Sequence, residues 1–226
     1  MKSPPHPAAP RNAATGPEAA PRKPRGRPRS FDRDAALELA MQVFWRKGYE
    51  STSIHDLTDA MGINPPSLYA AFGDKEKLYM EAVEKYLDCR KEAASCAFSE
   101  EPTARAGIER LLRNAALELS RPNSPKGCML ALSAVNCDSE SVQHALAAQR
   151  AAAKRRLRDR IERGIREGDV PRGTDAAALA DFFSAVFAGM SMQARDGAGR
   201  KSLLATAENA MLAFPAVVKK KSMAAA

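Results

Sequence analysis

Apolar side chains along this chain recur three and four residues apart, without the alternation that a half-buried strand needs, so the segments between turn signals read as helices. With 226 residues, 45% of them hydrophobic and only 6% aromatic, it is long enough to bury a real core. The fold class expected is all-α: a short N-terminal group of three helices joined to a C-terminal helical bundle, about nine helices in all.

The punctuation supports this division. Asp32 and Asp34 mark a helix start, and Ala36, Leu37, Ala40, Val43 and Phe44 form one face until Gly48 stops it. Ser53 suits the cap of a short second helix with Ile54, Leu57 and Ala60 inward, ending at Gly62. Asn64 and Pro65 then start a third, running through Ser67, Leu68, Tyr69 and Ala71 to Phe72 and Gly73. Asp74 caps a long fourth helix reaching Ala97, and further helices are expected near 103–120, 127–136, 139–167, 175–195 and 200–213. The expected divisions are an arm over 1–29, a helix-turn-helix domain over 30–76, a bundle over 77–215 and a disordered tail over 216–226.

Charge is concentrated at the N-terminus. The formal net charge is +8, yet residues 1–29 alone hold Lys2, Arg11, Arg22, Lys23, Arg25, Arg27 and Arg29 against Glu18. Eight of the fifteen prolines lie there too, with almost no large apolar residue, a composition expected to stay disordered and to favour a polyanionic partner. No run approaches the roughly 20 apolar residues of a membrane span, and no secretory leader is legible, so a cytoplasmic protein without a membrane partner is expected. Cys89, Cys96, Cys128 and Cys137 lack metal-site spacing and read as reduced thiols, with neither a metal nor a cofactor expected.

Two short helices joined by a turn at Gly62 are what a helix-turn-helix requires, the second free to enter a major groove. Spacing alone fits a plain structural corner equally well. The stretch GRPRSFDRDAALELAMQVFWRKGYESTSIHDLTDAMGINPPSLYAAFGDKEKLYMEAV, however, resembles the DNA-binding domain of the TetR (AcrR-like) family throughout. Carrying the likeness are Gly48 with Tyr49, Thr52, the turn from Ala60 to Ile63, the Ser67, Leu68, Tyr69 run, Phe72, and Lys75 with Glu76 and Leu78. The later stretch GMSMQARDGAGRKSL is similar to the second-last helix and its exit in one branch of that family, so the likeness extends over residues 26–213.

The resemblance implies that Thr52 and Tyr69 hydrogen-bond phosphates, that Lys75 adds a charged phosphate contact, and that Ser67 reaches phosphate or base. Ser53, Asn64, Pro65, Pro66 and Ala70 complete the candidate DNA-contacting set. Ala70 stands where many relatives carry a large polar or aromatic residue, and Pro65 and Pro66 replace frequent hydrogen-bond donors. Base reading is therefore expected to be unusually apolar, with Ala70 and the proline rings suited to thymine methyls. In the arm, Pro24, Arg25, Gly26, Arg27 and Pro28 resemble the core of an AT-hook, which suits a narrow A·T-rich minor groove; the alternative is a solvated basic tail attracted to phosphates without selectivity.

The remaining candidates are weighed against ordinary core or solvent roles. Cys128, just after Gly127 at an expected helix start, is either a reactive thiol or, more commonly, a small buried hydrophobe. Cys89 and Cys96 lie about 10 Å apart along one helix, too far to share an ion unaided. His6, His55 and His144 are not grouped for catalysis, and no enzyme activity is expected. The basic run from Lys154 to Arg166 is interspersed with Asp159 and Glu162 over an apolar stripe of Leu157, Ile161 and Ile165, as on a solvated bundle helix. By resemblance, residues 175–213 pair with a second copy, with Phe182, Val186, Leu203, Leu204 and Met211 at the dimer interface. Cys128, Met129, Phe183 and Met190 would border a ligand cavity.

The function implied is a ligand-responsive, sequence-specific DNA-binding regulator: a homodimer on a palindromic double-stranded operator, most simply a repressor released by a small-molecule inducer. The alternative is an architectural DNA-binding protein whose hook-like arm does most of the binding.

Overall fold

The computed structural model describes residues 31–135 and 137–216, Cys89 by its backbone alone. The basic arm with Arg25, Gly26 and Arg27, and the tail beyond 216, lie outside the described residues. Among the described residues there are nine α-helices and no strand. In chain order these are α1 (Arg33–Lys47), α2 (Ile54–Met61), α3 (Pro65–Phe72), α4 (Lys75–Glu100), α5 (Ala104–Leu119), α6 (Met129–Leu132), α7 (Glu140–Glu167), α8 (Ala176–Arg195) and α9 (Arg200–Ala210), with a closing 3-10 turn at Met211–Ala213.

Side-chain caps start most of these helices, each satisfying backbone N–H groups that have no partner inside the helix. The Asp32 carboxylate accepts from the N–H groups of Asp34 and Ala35, Asn64 from Ser67, Asp74 from Lys77 and Thr103 from Ala106. Ser53 and Asp56 form a reciprocal capping box at α2.

Helix α4 is the spine that joins the two halves. Its first turns bury Leu78, Tyr79, Ala82 and Val83 against α1, and farther along Tyr86 and Leu87 enter the bundle. Phe44 of α1 meets the edge of Tyr79 with ring centroids 5.0 Å apart, and Trp45 meets Tyr86 at 4.9 Å. The expected boundary between residues 76 and 77 falls in the first turn of α4, and the described residues cluster as one compact unit.

Two expectations are corrected. The helix expected over 127–136 is a single turn, because its continuation is claimed by other partners: the Ser133 carbonyl accepts from the Tyr49 N–H at 2.7 Å and its hydroxyl pairs with that of Tyr79. Contrary to the reading that no apolar run nears membrane length, α8 is long and apolar enough to span by length and composition. In the fold it is a bundle helix: Ala180, Phe183, Met190 and Ala194 are buried, and Asp181 pairs with Lys154 at 2.6 Å.

Candidate nucleic-acid interface

Helices α2 and α3 are set by a turn that only a residue at ease in the left-handed region makes cheaply: Gly62 has φ 66° and ψ 32°. The N–H of Gly62 donates to Asp59 and that of Ile63 to Thr58, closing α2 as the chain turns into α3. Leu57 and Met61 of α2 and Leu68 and Phe72 of α3 are buried, welding the pair to α1. The opposite face of α3 is left to solvent: Pro65, Pro66, Tyr69 and Ala70 are exposed, Tyr69 at 48%. A short helix held this way, with a free outer face, is the part of a helix-turn-helix that enters a major groove.

The other expected DNA contacts divide. Asn64 is exposed, but its side-chain oxygen is spent on the Ser67 N–H at 2.9 Å, and the Ser53 hydroxyl similarly accepts from Asp56. Ser67 is half-buried beside them. Thr52 is corrected: it is 1% exposed and its hydroxyl proton goes to the Gly48 carbonyl at 2.6 Å, so it shapes the turn rather than offering a phosphate donor. The Lys75 ammonium lies 4.4 Å over the Tyr49 ring and 3.4 Å from the Glu50 carbonyl, at the foot of α4 beside the motif.

Polar residues that the sequence reading passed over hold the motif in place. Lys47 pairs with Asp56 at 2.6 Å, and this ammonium, with the Ser53 donors, holds the Asp56 carboxyl well below the usual carboxylate range. Arg33 makes a forked contact with both oxygens of Glu81 and lies over the Phe72 ring. Spacing could not reveal these partners, which are 9 and 48 positions apart. A second set fastens the motif to the bundle. Trp45 donates its indole N–H to the Gly127 carbonyl at 2.9 Å, Glu50 accepts from the Asp138 N–H at 2.8 Å, and Glu76 accepts from the hydroxyls of Ser139 and Ser141. The Asp138 N–H leads the groups that keep the Glu50 carboxyl low, whereas burial pushes the Tyr79 phenol up to about 12.

In the bundle, Cys128, Met129, Phe183 and Met190 are all buried in the core, at most 4% exposed. The Cys128 N–H donates to the Ser191 hydroxyl at 2.6 Å and the Met129 N–H to the Tyr86 hydroxyl at 3.1 Å. None of the four lines the cavity of about 360 Å³ beside Cys137, His144 and Arg150 or the one of about 560 Å³ beside Asp169 and Phe214. Of the expected interface residues, Phe182 is exposed and Val186 and Leu204 are half-buried. Leu203 and Met211 are corrected: at 0% and 4% exposure they face inward, Leu203 on α9, which packs on α5, and Met211 in the 3-10 turn that follows it.

A capped, glycine-turned helix pair presenting α3 outward, backed by a helical bundle, defines a helix-turn-helix DNA-binding protein. The comparisons place it more closely. Residues 36–82 match the family model described as bacterial regulatory proteins, tetR family, and residues 104–210 match the tetracyclin repressor-like C-terminal domain. The chain is 34% identical over 202 residues to the HTH-type transcriptional repressor ComR of Escherichia coli strain K12, covering 88% of this chain and 96% of ComR. It is 31% identical over 195 residues to the HTH-type transcriptional repressor BdcR of the same strain, covering 86% and 94%. Among solved structures, a cysteine-substituted form of the TetR family regulator CifR, complexed with 26-base-pair operator DNA, is 44% identical. It aligns over 84% of this chain and all of that one with a TM-score of 0.81. The chain belongs to the TetR family of transcriptional regulators.

Proposed function

We propose that this protein is a homodimeric transcriptional repressor that holds a palindromic operator through paired α3 helices and releases it when a small-molecule inducer binds the bundle. The observation that carries the reading is the free outer face of α3 on a chain 44% identical to a regulator solved on its operator. Two such helices one turn of duplex apart, ~34 Å, read a two-fold site. The dimer contact proposed is the outer side of α8, α9 and the closing 3-10 turn, where Phe182, Met192 and Leu212 are exposed at 40%, 47% and 80% and Val186 and Leu204 are half-buried. A patch of this kind on a bundle fits a second copy making the same contact. The site of action is the cytoplasm, and the role is binding rather than catalysis.

Inducer binding is proposed to open the packing around Cys128, Met129, Phe183 and Met190 and to favour a spacing of α3 helices that no longer fits the operator. A coupling of about 1–3 kcal/mol between the two sites is the usual size. The basic arm, with Arg25, Gly26 and Arg27, is proposed to add affinity in the adjacent minor groove.

Genome-wide footprinting of the purified protein, followed by binding to a selected duplex, tests the reading. The expected result is one preferred palindrome with two chains bound per site. Broad A·T-rich binding without a two-fold site would support the architectural alternative, and indifference to every duplex at low ionic strength would refute both.

A further inference from the structure

The outward face of α3 carries no group able to make the paired hydrogen bonds by which side chains distinguish guanine or adenine. Its exposed residues are Pro65, Pro66, Tyr69 and Ala70, and the helix holds no Arg, Lys, Gln, Asn, Asp or Glu. Asn64, at its cap, is the nearest amide, and the Ser67 N–H at 2.9 Å ties its oxygen to the helix end, which disfavours the bidentate contact with adenine. Ser67 offers one hydroxyl, which donates or accepts and so tolerates any base. Thr52 has given its proton to Gly48.

We propose that α3 reads its operator chiefly through the C5 methyl groups of thymine, met by Pro66 and Ala70 in one column and by Pro65 and the Tyr69 ring in the next. This rests on the reading above that α3 enters the major groove. Among the groups displayed there, the thymine methyl is the one bulky apolar group; cytosine has only a C–H at the same position, and the rest are mainly donors or acceptors. A proline ring or an alanine methyl pressed on those polar groups strips their water and replaces no hydrogen bond, so discrimination against other bases follows without any direct polar contact.

The geometry fixes the register. Residues four apart lie one above the other on a helix, so each column is about 6 Å long. Base pairs stack at ~3.4 Å, and each column therefore covers about two steps. The methyl-dependent positions should cluster within two or three consecutive base pairs of each half-site. One chemical consequence follows: 5-methylcytosine carries its methyl at the same place in the groove and should replace thymine there better than cytosine does.

The test uses the full chain and a duplex selected from a random library, with affinity read by fluorescence anisotropy. Deoxyuridine is placed for thymidine one position at a time, which removes the methyl and leaves every hydrogen-bonding group intact. Two or three positions per half-site should each weaken binding about fourfold, the equilibrium equivalent of burying one such carbon. At those positions a C·G pair should bind more weakly than 5-methylC·G. In A70G the loss at one of these positions should vanish while the rest persist, and P66A should do the same at a neighbour, a second variant that retains helix propensity. Uracil tolerated at every position of a selectively bound duplex would overturn the methyl reading and leave the regulator reading standing. Failure to select any duplex would overturn both.

Discussion

Gly48 is the residue on which the junction between the DNA-binding half and the bundle turns most sharply. Its φ of 81° and ψ of 171° lie in a region that glycine alone occupies comfortably. A Cβ placed there would stand 3.0 Å from the Ser133 carbonyl oxygen, the same oxygen that accepts the Tyr49 N–H at 2.7 Å. Gly48→Ala therefore has two costs. Holding alanine in that backbone region costs about 1–3 kcal/mol. Shifting the Ser133 carbonyl weakens a partly buried hydrogen bond with a net contribution of about 1 kcal/mol. The sum is roughly 2–4 kcal/mol of destabilisation, or about 5–15 °C in melting temperature for a chain of this size. Gly173→Ala is the control: Gly173 has no positive φ and nothing within 4 Å of its would-be Cβ, so alanine there should be neutral or stabilise by up to about 1 kcal/mol. Denaturant unfolding of both variants at one protein concentration decides the matter, since an oligomer's stability depends on concentration. If Gly48→Ala unfolds within 0.5 kcal/mol or so of the parent, the claim that this backbone position and its contact with Ser133 are strain-limited is wrong.

Ser133→Ala should cost about 1–3 kcal/mol by leaving the buried Tyr79 hydroxyl without its partner, and adding Tyr79→Phe should recover part of that; a strictly additive double variant would deny the pairing. Tyr79 also sets an alkaline limit. Burial raises its pKa from 10.0 to about 12, so the fold favours the neutral phenol, and this contribution is complete below pH 10 and lost as pH rises towards 12. Tyr79→Phe should flatten the fall in stability over that interval, measured by unfolding at a series of pH values, and an unchanged slope would assign the fall to other groups. Phe182→Glu should shift the protein towards monomer in sedimentation and weaken operator binding, by placing an unpaired charge in the proposed α8–α9 contact, whereas an unaltered dimer would move the interface elsewhere. Deleting residues 1–28 should weaken DNA binding and reduce the steepness of its salt dependence, because that segment contributes several phosphate-neutralising charges; equal affinity and slope would exclude the arm.

The helices were legible in the sequence because their signals are local. Ser53, Asn64 and Asp74 are the caps their positions predict, Asp32 caps the helix whose start it marks, and Gly62 makes the turn between α2 and α3. The exposed face of α3 was legible for the same reason, since period 3.6 puts Leu68 and Phe72 inward and leaves Pro66 and Ala70 out. What sequence pattern could not supply was the use of a polar atom once its neighbours are in place. Thr52 looks like a free hydroxyl until the Gly48 carbonyl comes within 2.6 Å of it. Leu203 and Leu204 are adjacent apolar residues, and only the way α9 packs on α5 turns one inward and leaves the other half-buried.

The same limit explains the 127–138 segment, where the apolar run predicts a helix over 127–136 and the structure has one turn. Nothing in that run announces that its carbonyls at Gly127 and Ser133 and its N–H at Asp138 are needed by Trp45, Tyr49 and Glu50. These bonds use backbone atoms, so the side-chain identities within the run carry no mark of them. They also connect the bundle to the end of α1. On one side the segment is tied to α8 and α4 through Ser191 and Tyr86, and on the other to the end of α1, whose partner helices carry the reading face. A ligand that separated Ser191 from Cys128 would act next to Gly127, whose carbonyl accepts from Trp45. Coupling through so few hydrogen bonds predicts that Trp45→Phe, which removes the indole donor and part of the ring packed on Tyr86, weakens the proposed link between inducer and operator more than it weakens operator binding itself, read as the shift in operator affinity on adding inducer; an unchanged shift would refute it.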